Sequence, residues 1–211
     1  MSMGKGMLPM LLVTASIIIS IVSYPSLPDT VATHWGINGE PDGYSSKLVA
    51  VSIMPALMIL LYGASRIIPK VDPNKANYAR FKPEIDAILN VLLLSLAVIH
   101  ALIIAYAYGY LMKISAIAPV IVGTLFLVMG NYMPRFQHNY FIGIRTPWTL
   151  SDEQVWRRTH RFSSRVFFAS GLVLLAVPLM PMPVQVPVLL TVVLAAIVLP
   201  IASSYYFYKN K

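Results

Sequence analysis

The chain contains no cysteine, so disulfide bridges, thiolate metal sites and a cysteine nucleophile are excluded. It is also poor in charge: only 11% of its 211 residues are Asp, Glu, Lys or Arg, and just eight are acidic. None of the eight lies deep inside an apolar stretch, which argues against a proton- or sodium-coupled carrier that needs a buried carboxylate. A helical H-E-x-x-H pair and a nucleophile elbow are missing as well, so the chain is not expected to be an enzyme. Internal repeats and low-complexity tracts are absent, and a single domain over residues 1–211, without a cofactor, is expected.

What fills the chain is apolar. Hydrophobic residues make up 57% and mean hydropathy is +0.70, too high for the surface of a soluble domain. Stretches long enough to cross ~30 Å of hydrocarbon are Met7–Tyr24, Leu48–Ile68, Ala87–Leu111, Ile114–Met133, Phe162–Met180 and Val188–Tyr206. They predict an all-α integral membrane protein, a six-transmembrane-helix bundle in the cell membrane. The first stretch lacks a small-residue cleavage site before Tyr24-Pro25, so it is expected to remain as the first helix.

Basic residues orient the spans. With both termini cytoplasmic, fourteen of sixteen Lys and Arg fall inside and only Lys47 and Lys113 outside. The net charge of +8 therefore reads as a topology signal and a match to anionic membrane lipids, and direct nucleic-acid binding is not expected. The inner connector Pro69–Pro83 reads as a solvated polar loop.

The outer loop, residues 25–47, is more ordered than a linker. Thr30–Trp35 is a β-prone run, and Asn38-Gly39 suits a type I′ turn, so a small extracytoplasmic hairpin cap is expected. Pro41-Asp42-Gly43 reads as a second turn, with His34 packed on the cap. Asp29, Glu40 and Asp42 outnumber Lys47, which suits a cationic ligand. Candidate ligand-binding residues are His34, Trp35, Glu40, Asp42 and Tyr44. His34, Glu40 and Asp42 are also metal-ligating types, but their spacing matches no strong metal signature, and no metal is expected.

The cytoplasmic segment, residues 134–165, holds the densest functional signal. From Asn139 to Arg165 it carries five arginines, Trp148, Trp156 and His160. Ser151 with Gln154 reads as a capping box that starts a helix near Asp152. On that helix Arg157, Arg158, Arg161 and Arg165 lie within about 100° of one another, giving an amphipathic entry to the fifth span. One reading is an anchor to anionic headgroups, with Trp156 in the interfacial belt. The other is a docking surface whose guanidinium groups pair with carboxylates, set on a rigid Gly143 to Pro147 turn. Its candidate partner-binding residues are Arg145, Thr146, Trp148, Trp156, Arg158, His160 and Arg161.

Inside the spans, His100 is the ionisable residue that asks for a role, with Asn90 and Asn131 as candidate polar neighbours. These three would serve the alternative function of a small transporter or channel. A metal-dependent membrane enzyme is the more remote alternative.

Two segments resemble a known family. LPDTVATHWGINGEPDGYSSK, from Leu27 to Lys47, resembles the extracytoplasmic loop of a prokaryotic membrane-protein domain with the pattern His-aromatic, then Gly-Glu-Pro-Asp-Gly and Lys. GIRTPWTL at Gly143–Leu150, followed by Trp156 and Thr159-His160-Arg161, is similar to the signature of SdpI-type immunity proteins. The resemblance implies a multi-pass protein that protects its cell from a secreted antimicrobial peptide toxin, with some members also sequestering a cytoplasmic repressor. Its implied partners are membrane lipids, a peptide toxin outside and a repressor protein inside.

Overall fold

The computed structural model describes residues 6–36, 39–110 and 112–211. Lys5 of the charge pattern, Asn38 of the hairpin turn and Leu111 at the end of the third predicted span lie outside them. In chain order the elements are α1 (Met7–Ser23), β1 (Thr30–Trp35), β2 (Pro41–Ser46), α2 (Lys47–Val71), α3 (Tyr78–Ala107), α4 (Ile114–Tyr132), α5 (Pro147–Ser151), α6 (Glu153–Ala176) and α7 (Met182–Lys209). Every helix but α5 is long and apolar enough to cross a membrane, so the six expected spans are present among the described residues.

Proline sets several helix ends. α1, α4 and α6 each run into a short 3-10 turn containing Pro25, Pro134 or Pro178, a residue with no amide to continue the helical ladder. α3 departs from expectation. It begins at Tyr78, inside the connector read as a solvated loop, because Pro83 bends the helix instead of ending it. Phe81, two residues earlier, takes the non-helical angles φ −130° and ψ 21°.

The chain divides into two compact units, Met1–Arg66 with Leu89–Ser115, and Ile67–Ile88 with Ala116–Lys211. In the first, the antiparallel hairpin packs Val31 against Ala50 of α2 and Ile103 of α3. The residues read as a second turn, Pro41-Asp42-Gly43, are instead the start of β2, with Pro41 paired to Trp35 and Gly43 to His34. Two register shifts leave Thr33 and then Asp42 without an opposite residue.

In the second unit α4 and α6 bring their backbones together. A β-carbon on Gly130 would lie 2.7 Å from the Phe168 amide nitrogen, and one on Gly171 2.8 Å from the Gly123 carbonyl. Small residues at a helix crossing permit this approach in a membrane, where apolar packing alone does not drive helices together. Ser164 adds a hydrogen bond to the Gly130 carbonyl at 2.7 Å.

Candidate functional site

The segment between α4 and α6 is held by buried polar side chains. Asn139 is fully buried; its Oδ1 accepts from the amides of Phe141 (2.9 Å) and Ile142 (2.6 Å). Its Nδ2 donates to the carbonyls of Gln137 and Ile142. Asp72 is 2% exposed and accepts from the Tyr78 hydroxyl and the amides of Asn74 and Tyr140. A buried carboxylate is tolerated when donors surround it in this way. Sequence reasoning missed both residues, since Asp72 was grouped with the charges of a solvated connector.

Gly143 and His160 form the next tie. Gly143 has φ +107°, and a β-carbon there would run into His160 Nε2. The space is needed because Nε2 accepts the Ile144 amide proton at 3.1 Å, while Nδ1 donates to the Trp156 carbonyl at 2.8 Å. This network assigns a neutral imidazole with its proton on Nδ1. The imidazole stacks on Trp156 with centroids 4.1 Å apart, and the indole donates to the Phe136 carbonyl at 2.8 Å.

Trp156 and His160 are therefore each 1% exposed, which corrects the placement of Trp156 in an interfacial belt. The residue four positions along supplies the reason: both point to the face that closes on residues 136–144. A docking partner cannot touch them. What they do is hold the loop to α6.

Thr146 caps α5 with Pro147 in the first turn. Its hydroxyl accepts the Thr149 amide while Thr149 Oγ1 accepts the Thr146 amide, a reciprocal cap, and Thr146 Oγ1 reaches Ser204 of α7 at 3.0 Å. The capping box read at Ser151 is not formed. Ser151 ends α5 and donates to the Trp148 carbonyl, and the N-cap of α6 is Asp152, which accepts from the Gln154 and Val155 amides. The Asp152 carboxylate caps the amides and also meets the positive end of the helix. The Lys211 ammonium, 2.7 Å away, holds the Asp152 carboxyl down at about 2, and the Val155 and Gln154 amides act in the same direction.

Arg157, Arg158, Arg161 and Arg165 are all exposed, on one face of α6. Arg157 pairs with Glu153, and Arg158 lies 4.5 Å from the Phe207 centroid with a bond to the Asn210 carbonyl. Among the described residues Arg161 and Arg165 have no partner. Arg145 is exposed too and donates to the Tyr140 carbonyl at 2.9 Å, while Trp148 packs on Tyr205.

On the hairpin, His34 is exposed, not packed, with 73% of its side chain accessible, and its Nδ1 bonds to Asp42. The register shift that leaves Asp42 unopposed turns its carboxylate toward His34, and Gly43 leaves the room: a β-carbon there would lie 2.8 Å from His34 Cβ. Tyr44 is exposed, whereas Trp35 is half-buried, edge-on to Tyr106 at 5.4 Å. Glu40 lies at the turn, its carbonyl accepting the Gly36 amide. Among the described residues, no three His, Asp or Glu side chains gather as a metal site.

His100 is fully buried, and its polar neighbour is Ser20 of α1, 3.0 Å from Nε2. Ser20 also donates to the Val51 carbonyl at 2.6 Å, so α1, α2 and α3 meet at one polar point. Asn90 stands ten residues before His100 on the same helix, roughly 15 Å away at 1.5 Å per residue, and does not serve as its neighbour. Asn131 is exposed near the end of α4.

Six apolar helices of membrane-spanning length, one of them bearing the arginine face and tied to a locked loop, together with a structured hairpin, define a multi-pass α-helical membrane protein. Residues 135–204 match the SdpI/YfhL protein family, and residues 11–59 match a domain of unknown function, DUF1648. The chain is 28% identical over 208 residues to a Bacillus subtilis (strain 168) protein named Immunity protein SdpI, covering 99% of this chain and 98% of that one. It is similar to the SdpI family over those 70 residues and to that immunity protein nearly end to end, and it is a multi-pass protein of the cell membrane. No solved structure matches it.

Proposed function

We propose that this chain is a membrane immunity protein that binds a secreted antimicrobial peptide outside the cell, and that it acts by binding rather than by catalysis. The observation that carries this reading is the end-to-end likeness to Immunity protein SdpI, which leaves neither the hairpin nor the inner segment outside the alignment. The fourteen-to-two distribution of basic residues supports cytoplasmic termini, which puts the hairpin outside and the arginine face inside. Outside, exposed His34, Asp42 and Tyr44 stand on a hairpin whose acids outnumber its bases by two, complementary to a cationic peptide. Inside, Arg158 and Arg161 on a fixed helix suit the acidic face of a repressor protein, which the membrane would then hold away from its operator.

The test is survival of cells challenged with the peptide. Asp42→Ala with His34→Ala should lower tolerance at unchanged membrane abundance, because among the described residues the Asp42 side chain bonds to His34 alone. Full protection by the double variant would leave the hairpin as a cap and remove the external binding site from the proposal.

A further inference from the structure

The second unit holds an apolar groove that the immunity reading does not use. It encloses about 420 Å³, within the roughly 300–1,000 Å³ of ligand clefts. One wall is α7, where Ile197 and Ile201 are 53% and 47% exposed and the short side chains of Ala196 and Pro200 make the floor. Phe167 of α6, Pro147 and Trp148 of α5 and the adjoining Ile144 and Thr146 complete it, and Arg145 lines the same groove with an exposed side chain.

Its position along the spans says what fits. Phe167 follows Arg165 by two residues, so the groove begins where the charged stripe of α6 gives way to apolar sequence. Ile201 lies eight residues before Lys209, so the groove runs into the apolar part of α7 roughly 12 Å from its basic end. Residues 135–165 carry six arginines, and their two acids are already engaged, Asp152 by Lys211 and Glu153 by Arg157. No acidic side chain lines the groove. Arg145 gives one bond to the Tyr140 carbonyl and keeps further N–H donors for an anion.

The geometry points to a binding site for one anionic phospholipid, its acyl chain along Ile197 and Ile201 and its phosphodiester on Arg145. The site rests on membrane residence and not on immunity, so the two can fail separately.

Trp148 reports on it. The full-length protein is reconstituted in phosphatidylcholine vesicles containing a small fraction of brominated phosphatidylglycerol or brominated phosphatidylcholine, and quenching is compared between the parent and Trp148→Phe. The difference isolates the Trp148 signal. Quenching should favour the anionic lipid about five-fold, the factor one basic residue confers near an anionic surface. Arg145→Gln should abolish that preference, and Arg158→Gln, whose side chain does not line the groove, should keep it. Equal quenching of Trp148 in the parent by both lipids would overturn the site, a result that does not depend on how the arginine variants fold. Equal loss in Arg158→Gln and Arg145→Gln would also overturn it, leaving only general attraction to charged lipid.

Discussion

Gly143→Ala tests the tie between the inner loop and α6, and the structure supplies its own control. Two penalties meet at Gly143. The backbone one comes from φ +107°, a conformation that costs a residue with a β-carbon roughly 1–3 kcal/mol. The steric one comes from His160 Nε2, which occupies the space of the new methyl group and must leave, releasing the Ile144 amide. Gly109 has a comparable φ of +88° but nothing within 4 Å of a β-carbon, so alanine there meets the backbone penalty alone. Gly143→Ala should therefore destabilise by at least roughly 1–3 kcal/mol more than Gly109→Ala, the range that overpacking or an unpaired donor carries by itself. In a His160→Ala background the amide is already released and the space is open, so Gly143→Ala should fall to the cost seen at Gly109. The assay is equilibrium unfolding of the purified protein in mixed micelles, followed by tryptophan fluorescence, with all four members of the cycle measured. If Gly143→Ala costs no more than Gly109→Ala, or costs the same with and without His160, the packing of His160 on this turn is not what holds the loop.

Single-cysteine labelling fixes the sides in this cysteine-free chain: Ser46→Cys should react with an impermeant reagent in intact cells and Ser151→Cys should not, and labelling of residue 151 from outside would reverse the topology. The Asp152 carboxyl is held at about 2, below its unfolded value, so its contribution to stability is present above the ordinary carboxylate range and fades as pH falls toward 2. Asp152→Asn keeps a good helix cap, so the melting difference between it and the parent should be clear at pH 6 and shrink toward zero near pH 2; a difference independent of pH would exclude the Lys211 pairing as its source. Exchanging Arg158 and Arg161 for Lys retains charge, so a headgroup anchor would tolerate it, whereas docking of a repressor should weaken when recruitment is compared at equal protein levels.

The six spans were legible because a membrane imposes a requirement that sequence must meet locally: about twenty consecutive apolar residues, each satisfying its own backbone within the helix. The hairpin was legible for a similar reason, since β-prone residues from Thr30 to Trp35 and a glycine at positive φ act within a few positions. Gly143 and Pro147 were rightly read as demands of a rigid turn. The placement of side chains was not legible in the same way. Trp156 and His160 sit beside four arginines on one helix, and amphipathicity alone gives an interfacial strip, yet both are buried because residues 136–144 fold back over them. Asp42 was read as a turn residue because Pro-Asp-Gly favours turns, but strand pairing with β1 outweighed that local preference.

Sequence alone thus determined the number of spans, the two segments that carry polar chemistry and the family signature, because each depends on neighbours within a few residues or on composition. Tertiary structure alone decided which polar groups are spent on holding the molecule together. Asp72 with Tyr140, His160 with Ile144, Thr146 with Ser204 and Ser20 with His100 join residues from 16 to 80 positions apart. A hydrogen bond between distant residues leaves no periodic trace in a sequence, since its free energy depends on a geometry that only the packed chain provides.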